Sequence, residues 1–173
     1  MLITRIIAKN FKTYRELDLD LTVNEEQPII LIGGENGGGK TTLFQAIYYA
    51  LYGLKVKDFE HFNKLQNAGE RAKNEGNSSN KIELEIHFTG KVLHNDYKYI
   101  IKRLYTINAQ NSPVEAVTLN LNGDVFQYGT ATPHAERVKK EAEVNKIIKA
   151  NLPQELSKYF LFDAMEAGNL LKD

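Results

Sequence analysis

No cysteine occurs anywhere in this chain, which removes disulfides, thiolate metal sites and cysteine nucleophiles together. Net charge is missing too. The 22 Lys and Arg residues balance 22 Asp and Glu, so overall charge leaves no footprint of tight nucleic-acid binding, although a local basic face can sit inside a neutral total. No apolar run approaches the ~18 residues that a membrane-spanning helix needs. The opening Met1-Leu2-Ile3-Thr4-Arg5 lacks the layout of a secretory signal and reads as a strand. A cytoplasmic protein with no membrane partner is the expectation. His61, His87, His94 and His134 are scattered, and none has metal-ligand spacing.

What is present is the makeup of a soluble folded protein. At 42% hydrophobic and 25% charged residues, the chain argues against wholesale disorder, and its length suits one domain with a real core. Leu2 to Phe11 is apolar and β-branched, a strand pattern. Leu17, Leu19 and Leu21 alternate with Glu16, Asp18 and Asp20, as a half-buried strand requires. Ile29-Ile30-Leu31-Ile32 is a continuous apolar run, suited to a parallel strand covered on both faces. From Lys40 the period changes. Leu43, Ala46, Ile47, Ala50, Leu51 and Leu54 fall on one helical stripe, widened by Phe44, Tyr48 and Tyr49, with Gly53 near the end.

Residues 66–80 are polar and without apolar period, the pattern of a mobile surface loop. Ile82, Leu84, Ile86 and Phe88 then alternate with Glu83, Glu85 and His87. Further strand patterns follow at 97–105 and 117–121, and Asn122-Gly123 is a hairpin signal. This predicts an antiparallel β sub-region over about 81–128, set in an otherwise α/β chain. Val144, Ile147, Ile148 and Leu152 mark a charged helix from about Ala135, and Pro153 suits the start of another short one. Tyr159 to Phe162 is an apolar run closing on Asp163.

One segment carries chemistry. Gly34-Glu35-Asn36-Gly37-Gly38-Gly39-Lys40-Thr41 fits the P-loop pattern G-x-x-x-x-G-K-[ST]. Triphosphate oxygens need several donors at once, and a tight loop can turn successive backbone N–H groups inward only where side chains do not clash. The start of the following helix favours an anion at the same spot. Asn36, Gly37, Gly38, Gly39, Lys40, Thr41 and Thr42 are therefore the expected nucleotide-binding residues, with ATP and Mg2+ as cofactors. Lys40 would reach the outer phosphates as the catalytic cation, and the Thr41 hydroxyl would ligate magnesium.

Asn10-Phe11-Lys12-Thr13-Tyr14, the loop Gly33 to Thr42 and the stretch Leu43 to Gly53 together resemble the opening of an SMC-family ATPase head. That family lies within the ABC ATPases and includes those of double-strand-break repair and chromosome cohesion. Gly33-Gly34-Glu35-Asn36-Gly37 and Ala50-Leu51-Tyr52-Gly53 are similar to the DndD-type ATPases of DNA sulfur modification (phosphorothioation). Tyr159 to Glu166 resembles their aromatic-rich Phe-Asp-Gly-Glu segment, but reads Phe162-Asp163-Ala164-Met165-Glu166, one residue longer and without the glycine. The resemblance implies an α/β P-loop NTPase fold, with residues 1–173 as the N-terminal lobe of an ABC ATPase head and a coiled coil expected after 173. It implies that Lys12 is a basic nucleotide contact. For Asp163 it implies either a Q-loop residue holding magnesium or its water, or a Walker-B aspartate. The missing adjacent glutamate favours the first.

No Leu-Ser-Gly-Gly signature, Walker-B pair or switch histidine occurs in these residues. The resemblance therefore implies an ATPase whose hydrolysis needs the C-terminal half of the same head and a second head, as a homodimer formed on ATP binding. It further implies a DNA-binding protein acting in DNA sulfur modification or the associated restriction and repair, with other DNA-modification proteins as partners. Lys91, Lys98, Lys102 and Arg103 are the basic residues available for DNA phosphates. The ATPase head of a defence nuclease and the nucleotide-binding subunit of a transporter are the alternatives. The long β-rich stretch between the P-loop and Asp163 argues against the transporter.

Overall fold

The computed structural model describes residues 1–26, 28–33, 35, 37–73, 80–92 and 95–160. Their order is β1 (Leu2–Phe11), β2 (Tyr14–Asp20), α1 (Lys40–Tyr52), α2 (Phe59–Leu65), α3 (Ala68–Lys73), β3 (Lys81–Val92), β4 (Asn95–Ile107), β5 (Pro113–Leu121), β6 (Asp124–Gly129), α4 (His134–Asn151) and α5 (Gln154–Phe160). The six strands form one sheet in the order β2-β1-β3-β4-β5-β6, and every pairing is antiparallel. The start and the middle of the chain thus share one sheet, whereas the residue pattern suggested an α/β opening followed by a separate antiparallel region. Alternating burial looks alike in both places, and only the β1–β3 pairing joins them.

Register explains the core. Leu19, Ile6, Ile86, Ile101, Leu119 and Phe126 lie opposite one another in a single row across all six strands. This apolar face packs against α1, and α4 covers its β6 side. Thr42, Leu43, Ala46, Ile47, Ala50 and Leu51 are the buried positions of α1, the expected helical stripe. Leu54 lies past the helix end, and its N–H is held by the Tyr105 hydroxyl at 3.0 Å. The β5–β6 turn at Asn122 (φ 51) and Gly123 (φ 108) has both residues left-handed, as a two-residue hairpin favours. Val144 and Ile148 seat α4.

Two expected elements differ. Ile29–Ile32 has no sheet pairing among the described residues, and Ile29 is 83% and Leu31 93% exposed. The described sheet is entirely antiparallel, so it offers no parallel neighbour to this run. Residues 66–80 do not begin as a loop. Gln66 is buried and Ala68–Lys73 is helical, because Asn67 caps α3 by accepting the Gly69 and Glu70 N–H groups. Low apolar content hid that cap.

Arg103 breaks the apolar pattern of the inner face. Leu17, Ala8, Leu84, Arg103, Val117 and Tyr128 form one row, and Arg103 is only 3% exposed within it. Its Nε donates to the Ala50 carbonyl at 2.9 Å, Nη2 to the Leu51 carbonyl at 2.8 Å, and Nη1 to Glu115 Oε1 at 3.0 Å. The last carbonyls of a helix lack intrahelical donors and carry the negative end of its dipole, so one planar guanidinium serves both needs. Arg103→Met should lower the unfolding free energy by about 2–4 kcal/mol, read as a lower urea midpoint with unchanged m-value. Arg103→Lys should fall short of wild type as well, since one ammonium cannot reproduce the fork.

Candidate nucleotide-binding site

Three pieces of chain meet at the N-terminal end of α1: the glycine loop, the β1–β2 hairpin tip and the α2–α3 joint. In the loop, Gly37 (φ 84) and Gly39 (φ 96) are left-handed, a conformation that side chains disfavour. The Gly38 N–H donates to the Glu35 carbonyl at 3.0 Å, tightening the turn, and the Lys40 ammonium donates to that same carbonyl at 2.8 Å. Gly39 immediately precedes the helix and offers it no side-chain cap, and the first turn holds no carboxylate. The positive end of the helix dipole is therefore not countered from within α1, as anion binding wants. Thr41 is exposed, while Thr42 turns to the core.

The hairpin tip closes on this loop. The Tyr14 hydroxyl donates to the Gly39 carbonyl at 2.9 Å, and burial pushes the Tyr14 pKa up, which keeps the phenol a donor. A Cβ at Gly39 would lie 2.9 Å from Tyr14 Oη and 3.0 Å from Thr13 Oγ1. Lys12 reaches α1 itself, its Nζ donating to Gln45 Oε1 at 2.6 Å, one helical turn beyond Thr41. Burial lowers the Lys12 pKa, and a phosphate nearby would favour its charged form again. Lys12 (φ 50) and Asn10 (φ 54) are both left-handed, which for residues other than glycine costs roughly 1–3 kcal/mol each.

Gly37, Gly38, Gly39, Lys40, Thr41, Thr42 and Lys12 thus come together around the start of α1. Asn36 and Asp163 lie outside the described residues. Tyr14, Thr13 and Gln45 were not singled out from sequence, because a contact to a loop 25 residues away leaves no local pattern. Among the described residues, no group of three or more His, Cys, Asp or Glu could hold a metal ion. The exposed Thr41 hydroxyl suits magnesium that arrives on phosphates rather than in a protein cage.

Strand alternation sends Lys91, Lys98 and Lys102 to the outer face of the sheet and Arg103 to the inner one. Arg103 faces inward on α1. Lys102, on the outer face, pairs with Glu83 at 3.0 Å and Glu85 at 3.6 Å. Arg5 pairs with Asp18 and Lys9 with Glu16 and Glu83, so the part of this face around Lys102 carries an interleaved network of opposite charges. Adjacent strand residues point to opposite faces, which separates Lys102 from Arg103.

Gly39→Ala should lower stability by about 1–3 kcal/mol through its left-handed φ and the hairpin clash. It should also weaken nucleotide binding out of proportion to that loss. Thermal unfolding and analogue titration on the same sample read the two effects separately.

Comparison with known proteins agrees with this geometry. The family described as AAA domain matches residues 5–170. The chain is 30% identical over 103 residues to the DNA double-strand break repair Rad50 ATPase of Methanococcus maripaludis, covering 60% of this chain and 9% of that protein. It is 29% identical over 118 residues to exonuclease subunit 2 of Enterobacteria phage T4, covering 68% and 19% respectively. The chain therefore spans under a fifth of either relative. A solved chain from work on ATP-driven dimerization and DNA-stimulated activation of SMC ATPases superposes with TM-score 0.50 at 18% identity, over 99% of this chain and 98% of that one. The chain belongs to the AAA domain family, and its fold is that of an SMC-like ATPase head.

Proposed function

We propose that this chain binds ATP with magnesium as the N-terminal lobe of an SMC-like ATPase head that acts on DNA. The observation that carries the reading is the left-handed Gly37 and Gly39 turn delivering Lys40 and Thr41 to an open helix start. Backbone N–H groups there bind phosphate oxygens, Lys40 neutralises the outer phosphates, and Thr41 holds magnesium beside them. Magnesium, held by Thr41, would supply positive charge beside the phosphates. Lys12 adds a second cation from the hairpin, Asn36 extends the loop's contacts, and Asp163 holds magnesium or its water.

The site is half of one. Hydrolysis draws on the C-terminal half of the head and on a second head that joins when ATP binds. The exposed Ile29–Ile32 run supports this, because four successive apolar residues with little cover are what a strand awaiting neighbours presents. The much greater length of the relatives points the same way. A DNA role rests on those relatives, whose names refer to DNA break repair and an exonuclease. Work beside a nuclease is the form this similarity favours. DNA sulfur modification rests only on the resemblance carried by Gly33 to Gly37, Ala50 to Gly53 and Tyr159 to Glu166.

Titration with a non-hydrolysable ATP analogue and magnesium should show binding by the 173-residue chain, with very slow phosphate release in a steady-state assay. Lys40→Ala should weaken binding by about tenfold to a hundredfold while leaving the melting curve in place. Fast turnover that survives Lys40→Ala would overturn the assignment.

A further inference from the structure

We infer that Asn67 is a positioning residue for the nucleotide site, acting through the backbone of Lys12. The inference rests on the ATP-binding reading above and adds the device that sets the hairpin against the P-loop. Asn67 bonds in three directions. Its Nδ2 donates to the Lys12 carbonyl at 3.0 Å. Its backbone N–H donates to Asn10 Oδ1 at 3.0 Å. Its Oδ1 accepts from the Gly69 and Glu70 N–H groups at 3.1 and 3.3 Å, starting α3. The Lys12 N–H closes the clasp onto the Leu65 carbonyl at 2.7 Å, and Asn10 Nδ2 ties back to the Lys81 carbonyl.

Both peptide groups flanking Lys12 are thus held by the α2–α3 joint. That matters because Lys12 is the first of two residues in a tight hairpin, with Phe11 paired to Tyr14, and it sits at φ 50 where lysine gains nothing by itself. Released, the backbone would relax toward ordinary φ, and the Lys12 side chain would leave its station on Gln45. Beside the clasp, Gln66 is 4% exposed and neither end of its side-chain amide has a partner among the described residues. Two left-handed residues other than glycine and an unsatisfied amide in one joint are the mark of a shape kept for use rather than for stability. Glu70 on α3 also pairs with Arg15 on β2 at 2.6 Å, a second tie between α3 and the hairpin.

Asn67→Ser isolates the contact. Serine remains a good helix cap but is too short to reach the Lys12 carbonyl, and it adds no charge. Magnesium and a non-hydrolysable ATP analogue would be titrated into wild type, Asn67→Ser, Lys12→Ala, the double variant and Lys40→Ala, with thermal unfolding of each. Asn67→Ser should weaken binding by roughly threefold to tenfold. In the Lys12→Ala background it should change affinity by less than about twofold, because a residue that acts through Lys12 is silent once that side chain is gone. A merely structural role would leave the two effects independent. Should Asn67→Ser fold poorly, Asn67→Asp keeps the cap acceptor and removes the donor, and the same non-additivity applies. Wild-type affinity in a folded Asn67 variant, or full additivity with Lys12→Ala, would overturn the inference while Lys40→Ala still weakened binding. Unchanged binding in Lys40→Ala would overturn the nucleotide reading and this one together.

Discussion

The seating of α1 on the sheet is the constraint from which the rest follows. Its C-terminal carbonyls at Ala50 and Leu51 are held by a guanidinium that reaches up from β4 through an otherwise apolar row. Its N-terminal end is met by Tyr14 on the Gly39 carbonyl. Between the two, a stripe of small and aliphatic residues packs flat on the strands. A helix pinned at both ends has its dipole pointing in one fixed direction, and the loop that enters it can then be short, glycine-rich and free of supporting side chains of its own.

Burying Arg103 is an unusual solution, because a desolvated cation away from a strong partner is unfavourable. Here the partners are two helix-end carbonyls and Glu115. Those carbonyls carry the partial negative charge of α1, so the arginine and the helix answer each other's need. Gly53 leaves room for this: a Cβ there would meet Arg103 Nη1 at 3.2 Å, at a φ of 86 that other residues avoid.

The two faces of the sheet do different work. The inner face builds the core and aims α1. The outer face interleaves Arg5, Lys9 and Lys102 with Glu16, Asp18, Glu83 and Glu85. Glu83 is only 7% exposed, so its pairing with Lys9 and Lys102 offsets the cost of desolvating a carboxylate there. Ile29–Ile32, ahead of the P-loop, is by contrast a run of four successive exposed apolar side chains.

The left-handed glycine turn into α1 was legible in the amino-acid order alone, because the P-loop pattern demands glycine at particular positions and a cation and hydroxyl directly after them. The helix stripe from Leu43 and the Asn122-Gly123 turn were legible for the same kind of reason: each is a local requirement written in neighbouring residues. What only the tertiary structure decided is everything set by distant pairing. Joining β1 to β3 made one sheet of two regions, and strand alternation turned Arg103 inward to α1 while sending Lys102 outward to its glutamates. The cap at Asn67 made a helix of residues that look like a loop. The hairpin tip met Gly39, and the clasp met Lys12, through contacts that span 25 and 55 residues of chain. Periodicity reports which face of an element is apolar, but not which remote backbone group a polar side chain will find there, since that depends on register and packing across the whole sheet.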